Sequence, residues 1–164
     1  MDHSPEPKEI VSQFEKLLVA LARNRVDFAV VGGLAVILNG YPRVTLDADI
    51  LVSSQIDNLR KLLHCLTSWG EGWARELKPE DFIQEQGAVR VMEDFDLDIF
   101  TFMNGKPLDY FRPRLRYLET GGVRIPYLSP EDLVFLKEGS WRDKDKFDVQ
   151  AMREIIAREK TARE

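Results

Sequence analysis

Three observations predict an α/β (α+β) chain with a mixed central β-sheet flanked by helices. An amphipathic helical repeat opens the sequence, short apolar or alternating runs cut by glycine pairs fill its middle, and a well-capped helical segment follows near its end. Strand-type and helix-type segments alternate along the chain, with no internal repeat, low-complexity stretch or linker between them. One domain over 1–164 is therefore expected, divided into an N-terminal helix (1–25), a sheet core (27–126) and C-terminal helices (129–160).

Each element has its own local cause. Ile10, Val11, Phe14, Leu17, Leu18, Leu21 and Ala22 recur at helical intervals, and the face they form could dock on the core or against a partner. "FAVVGG" is a continuous apolar run stopped by two glycines, which suits a buried strand. "LAVILNG" is a short helix closed by Asn39-Gly40. "VTLDADILV" alternates strictly and is β-branched, so a strand is expected from Val44. Ser53, Ser54 and Asp57 then offer N-caps to a helix through Ile56, Leu59, Leu62, Leu63 and Leu66. The stretch 69–85 has no clear period. "GAVRVMEDFDLDIFTF" reads as two strands, the second starting near Phe95, and "NGKPLDYF" as a turn with a short helix. A hairpin is expected around Thr120-Gly121-Gly122. Ser129 and Pro130 open a helix, and a last helix starts near Lys144 and runs into the polar, poorly anchored tail "AREKTARE".

Composition narrows the function classes. The length of 164 residues suits one domain with a real core. A net charge of −5 argues against a protein that coats nucleic acid, although a local basic groove is compatible with it. The single cysteine, Cys65, sits at helical spacing and reads as a core residue, so it founds neither a disulfide framework nor a Cys-based metal site. No apolar run is long enough for a membrane span, and the start lacks the order of a signal peptide, so a cytoplasmic location is expected.

The carboxylates raise the chemical question. Residues i and i+2 of a strand share a face, so Asp47 and Asp49 point one way while Leu46, Ala48, Ile50 and Val52 point the other. Asp96 and Asp98 repeat the arrangement in "FDLDIF". An isolated Asp-x-Asp is most often a solvated face. Two such pairs in apolar frames are a different matter, because clustered carboxylates repel and are tolerated mainly around a cation. Oxygen ligands without nearby His or Cys favour magnesium or manganese. Gly32-Gly33, placed where a strand gives way to a helix, lets backbone approach an anion closely. Together these features describe a site for a metal-bound polyphosphate.

The segment "VGGLAVILNGYPRVTLDADILV" resembles the nucleotidyltransferase signature of the DNA polymerase β-like superfamily, and thirteen residues lie between Gly33 and Asp47, as suits that pattern. The form Arg43-x-Thr45-x-Asp47-x-Asp49 is most similar to the minimal nucleotidyltransferases, small bacterial proteins that include AbiEii-type relatives in toxin–antitoxin pairs. "LDIFTFMNGKPLDYF" resembles the segment that holds their third acid, with Asp98 in that place and Asp96 as the alternative. "YLSPEDLVFLKEGSWRDKDKFDVQAM" looks like their closing region, with Lys137, Arg142, Lys144, Asp145 and Asp148 at the matching positions.

The resemblance implies the polymerase β-like fold and transfer of NMP from an NTP to a hydroxyl on protein, RNA or a small molecule. It implies two magnesium ions (manganese as substitute) on Asp47, Asp49 and Asp98. Gly32, Gly33, Arg43, Thr45 and Lys137 would bind the nucleotide, ATP being the first candidate. Arg43 is equally readable as an exposed turn charge, Lys137 as a snorkelling helix residue, and Lys144 with Asp148 as a surface pair. His64 reads as structural, and Trp69, Trp73 and Trp141 as core or interface residues rather than base-stacking ones. A toxin of the HEPN type and tRNA are the macromolecular partners the resemblance implies. The competing reading is an antitoxin-type binding module with the same fold and little or no chemistry. A glycosyltransferase, which also uses Asp-x-Asp, normally needs a much larger chain.

Overall fold

The computed structural model of the chain describes residues 7–68, 77–82, 88–92 and 96–163, and for 7–13 and 88–92 it describes the backbone alone. The elements run α1 (Pro7–Arg23), β1 (Phe28–Val31), α2 (Gly32–Leu38), β2 (Asp47–Val52), α3 (Ile56–Thr67), β3 (Ala88–Met92), β4 (Asp96–Phe100), α4 (Leu108–Phe111), β5 (Arg116–Thr120), β6 (Val123–Tyr127), α5 (Pro130–Lys137) and α6 (Asp143–Arg163). Six strands form one sheet in the order β3-β4-β2-β1-β6-β5. It is mixed: β1 runs antiparallel to β2 and parallel to β6, β2 runs parallel to β4, and β3 and β5 pair antiparallel at the two edges.

The expected mixed sheet with flanking helices is the architecture found. Helix α1 turns Phe14, Leu17, Leu18 and Leu21 into the core and packs on β6, α2 and α3, so its apolar face is used within the chain. Central strand β1 is buried along its whole length, which explains why "FAVV" carries no alternation. The hairpin β5–β6 turns through Gly121 and Gly122, both at positive φ (+57° and +76°), the backbone that tight two-residue hairpins demand. Helix α2 stops at Asn39, whose side-chain amide donates to the carbonyls of Ala35 and Leu128. Ser129 caps α5 as expected, accepting from the Asp132 N–H at 3.2 Å.

Three expectations need correction. Strand β2 begins at Asp47 rather than Val44, and Val44 and Leu46 are 80% and 73% exposed. On the β1 side the reason is a lack of neighbours: β1 ends at Val31 opposite Asp49, so it offers nothing for the residues before Asp47 to pair with. Helix α3 starts after Gln55 without a side-chain cap. Its start is held instead by the buried Asn58, which accepts from the Asp27 N–H and donates to the carbonyls of Asp27 and Ser53. The tail is not loose: α6 continues to Arg163, and Arg116 of β5 donates two hydrogen bonds to the Glu159 carboxylate at 2.5 and 2.8 Å. Of the core-or-interface reading for the tryptophans, Trp141 keeps only the interface half, since it is 88% exposed. Trp69 and Trp73 lie outside the described residues, while Cys65 is buried as expected and His64 is exposed. Among the described residues, no helix is long and apolar enough to cross a membrane.

Candidate active site

Parallel pairing of β2 with β4 builds the acidic centre. Its register sets Asp47 opposite Asp96 and Asp49 opposite Asp98, and in a parallel ladder partnered residues share a face. All four carboxylates therefore rise from one side of the sheet at its β2–β4 junction. Asp98 is the acid that reaches Asp49, and the two share a side-chain hydrogen bond. Burial raises the Asp49 pKa first, the charges of Asp98 and Asp47 raise it further, and Lys144 offsets them only in part, leaving it pushed up to about 7. A hydrogen bond between two carboxyls needs a proton on one of them, and the raised pKa supplies it.

Gly32 stands directly against this cluster. It adopts φ +65°, and a Cβ there would lie 2.1 Å from the Asp49 Oδ2, so no larger residue leaves the carboxylate where it is. At Gly33 a Cβ would meet Arg43 Nη1 at 3.0 Å and Thr45 Oγ1 at 3.3 Å. The glycine pair thus lets the end of β1 close onto the acids and onto the chain that leads into β2. Thr45 itself donates to the Asp47 carbonyl at 3.1 Å.

The basic side of the site comes from the opposite end of the sequence. A cavity of about 220 Å³ is lined by Gly32, Gly33, Asp49, Lys137, Lys144 and Arg142, with Phe100, Met103, Leu133 and Leu136 as its apolar wall. Lys137 at the end of α5 donates to Asp148 Oδ2 at 2.6 Å and to Asp145 Oδ1 at 3.3 Å. Arg43 Nη1 donates to the same Asp148 oxygen at 2.6 Å. The reading of Lys144 with Asp148 as a surface pair is therefore wrong: Asp148 is 1% exposed and is held by Arg43 and Lys137. Neither cation is an idle surface charge, since the side chains of both are largely buried in these ion pairs. Asp145 also accepts from Ser140 and Arg142. Burial works to raise the Asp145 pKa, but these donors and the Lys137 charge outweigh it and bring it below the ordinary carboxylate range. A larger cavity of about 580 Å³ between the end of α5 and the outer face of α6 contains no strand carboxylate. The smaller one is where acids, glycines and cations meet.

The donor set can be tested against a divalent cation. Its atoms are carboxylate oxygens only, and Asp49 retains a proton because burial first and then the like charges of Asp98 and Asp47 disfavour its anion; both facts fit a hard cation. Among the described residues, no group of three or more His, Cys, Asp or Glu is placed to hold a metal ion. The residues that sequence reading did not anticipate are the apolar wall, Phe100, Met103, Leu133 and Leu136, together with Ser140. Nothing in their local pattern separates them from ordinary core or loop residues.

Comparison with curated proteins finds no match. Among solved structures, the chain is similar to the lincosamide antibiotic adenylyltransferase LnuA, determined with lincomycin bound, at a TM-score of 0.63 and 17% identity over 88% of this chain and 96% of that one. It is also similar to TM1012 of Thermotoga maritima, a protein classed with the nucleotidyltransferases, at a TM-score of 0.54 and 18% identity over 98% of this chain and 92% of that one. At such identities the likeness speaks for the fold alone. The sequence profile of a family described as nucleotidyltransferases of unknown function (DUF6036) matches residues 8–158, and to that family the chain belongs.

Proposed function

We propose that this protein is a divalent-metal-dependent nucleotidyltransferase that moves NMP from an NTP, ATP first, to a hydroxyl on a protein, an RNA or a small molecule. The observation that carries the reading is the β2–β4 register, which brings Asp49 against Asp98 beneath Gly32 and beside a cavity lined by Lys137 and Lys144. Asp47, Asp49 and Asp98 would hold magnesium or manganese, whose charge would neutralise the triphosphate and acidify the acceptor hydroxyl.

The chain's own groups have separable tasks. Gly32 and Gly33 bring backbone close enough for phosphate oxygens to meet it without a Cβ in the way. Lys137 and Lys144 supply positive charge to the same cavity, and the apolar wall behind them limits water there. Asp98, which lies against Asp49 in the acid cluster, would take up the acceptor's proton. A toxin–antitoxin partnership with a HEPN-type toxin, or a tRNA acceptor, is compatible with the same chemistry and fixes only the acceptor.

Thermal unfolding with ATP, GTP, CTP and UTP, each with and without magnesium, tests the reading. At one hundred times its dissociation constant, a nucleotide adds about 2.7 kcal/mol to stability. Asp47→Ala and Asp98→Ala are expected to keep the fold, lose the magnesium-dependent gain and lose label transfer from α-labelled NTP to lysate components. No gain with any nucleotide would leave a pure binding module. Full transfer by either variant would sink the acid assignment.

A further inference from the structure

Asp148 is the carboxylate on which two separate chain segments meet. Arg43 comes from the connection between α2 and β2, Lys137 from the end of α5, and both donate to the same oxygen at 2.6 Å. In that connection Pro42, Val44 and Leu46 are exposed while Arg43 is turned inward. The alternation makes the Arg43 head group the mooring of a segment that ends at Asp47. The other end of the tie is also functional ground: Arg43 Nη1 lies 3.0 Å from where a Gly33 Cβ would stand, and Lys137 lines the cavity with Gly32, Gly33 and Asp49.

The charges are close to balance without being fully spent. Asp145 and Asp148 face Arg43, Lys137 and Arg142, three cations for two acids. A carboxylate 1% exposed is tolerated only while it is paired, so its partners are held firmly in place. An ion pair serving stability alone has no need to gather its cations at the glycine turn.

We propose that Asp148 is a positioning residue for nucleotide binding: by accepting from Arg43 and Lys137 together, it fixes both cations beside Gly33 where the phosphate chain of the nucleotide lies. Asp148 touches no substrate and acts through its two partners. The inference rests on the nucleotidyltransferase reading. Because it concerns phosphate rather than base, inorganic tripolyphosphate is the informative probe beside magnesium–ATP.

The test is a double-mutant cycle on binding, read by calorimetry with folding checked by near-UV circular dichroism. Asp148→Asn in the wild-type background is expected to weaken both magnesium–ATP and tripolyphosphate by about tenfold, while in a Lys137→Met background only the Arg43 share remains to be lost and the same change weakens them by about threefold. Asp148→Glu, which keeps the charge, is expected to restore part of the loss. An Asp148→Asn loss of equal size in both backgrounds, or a loss for ATP alone, overturns the proposal. Should Asp148→Asn not fold, Arg43→Gln carries the test, since it leaves Asp148 paired to Lys137. Its tripolyphosphate affinity must then fall by about threefold or more, and unchanged affinity is the overturning result. If the wild-type protein binds neither ligand, the functional reading falls and takes this inference with it. If it binds both and the cycle is additive, only the inference falls.

Discussion

At Asp49 burial, the Asp98 charge and the Asp47 charge all push the same way, and the carboxyl holds its proton to about pH 7. An unfolded aspartate loses it near pH 4. Between those limits the folded protein binds more protons than the unfolded chain, so Asp49 lowers stability as pH rises from about 4 to 7 and changes nothing more above that. Asp49→Asn is expected to remove this falling slope, leaving the variant relatively more stable than wild type at pH 8 than at pH 4. Urea unfolding at both values in EDTA checks it, and parallel pH profiles would contradict it. Gly32 belongs to the same account, because it is the absence of its Cβ that lets this strained acid stand where it does. The acids and glycines were legible in the sequence because period two and a strand-to-helix turn are local rules. The partners of Arg43, Lys137 and Asp148 were not, since they lie 105 and 11 residues from the acid they share.

At the scale of elements, α5 shows how a local signal reaches the site. Ser129 is buried, accepts from the Asp132 N–H and donates to the Asp132 carboxylate, while Arg114 donates to that carboxylate from outside the helix. The cap therefore fixes both the start of α5 and its attachment, and Lys137 sits at its other end. Ser129→Ala is expected to cost about 1 kcal/mol in urea unfolding, as lost caps generally do. A variant as stable as wild type would mean that Arg114 alone secures the helix. Strand β2 shows the opposite dependence. Alternation extends the strand pattern back to Val44, but a strand needs a neighbour that offers hydrogen bonds, and β1 stops opposite Asp49, where the chain turns into α2. The exposed Val44 and Leu46 are the result.

For the molecule as a whole, α6 joins parts of the chain that sequence order keeps apart. Its first turns carry Asp145 and Asp148 to the cations of the site, and its last turns carry Glu159 to Arg116 on the edge strand β5. Glu159→Gln is expected to cost up to about 1 kcal/mol, lowering Tm by about 2–4 °C in low salt and less in 1 M salt. An equal loss at both salt concentrations would show that packing rather than charge holds the tail. The sequence by itself determined which segments are helices and strands, where the glycine turn lies and which aspartates share a strand face, because each follows from periodicity and turn chemistry within a few residues. Only the tertiary structure decided that Asp98 rather than Asp96 meets Asp49, and that Asp148 is an interior counter-ion rather than a surface charge. Register and long-range ion pairs depend on distances between remote segments, which packing sets and no local pattern encodes.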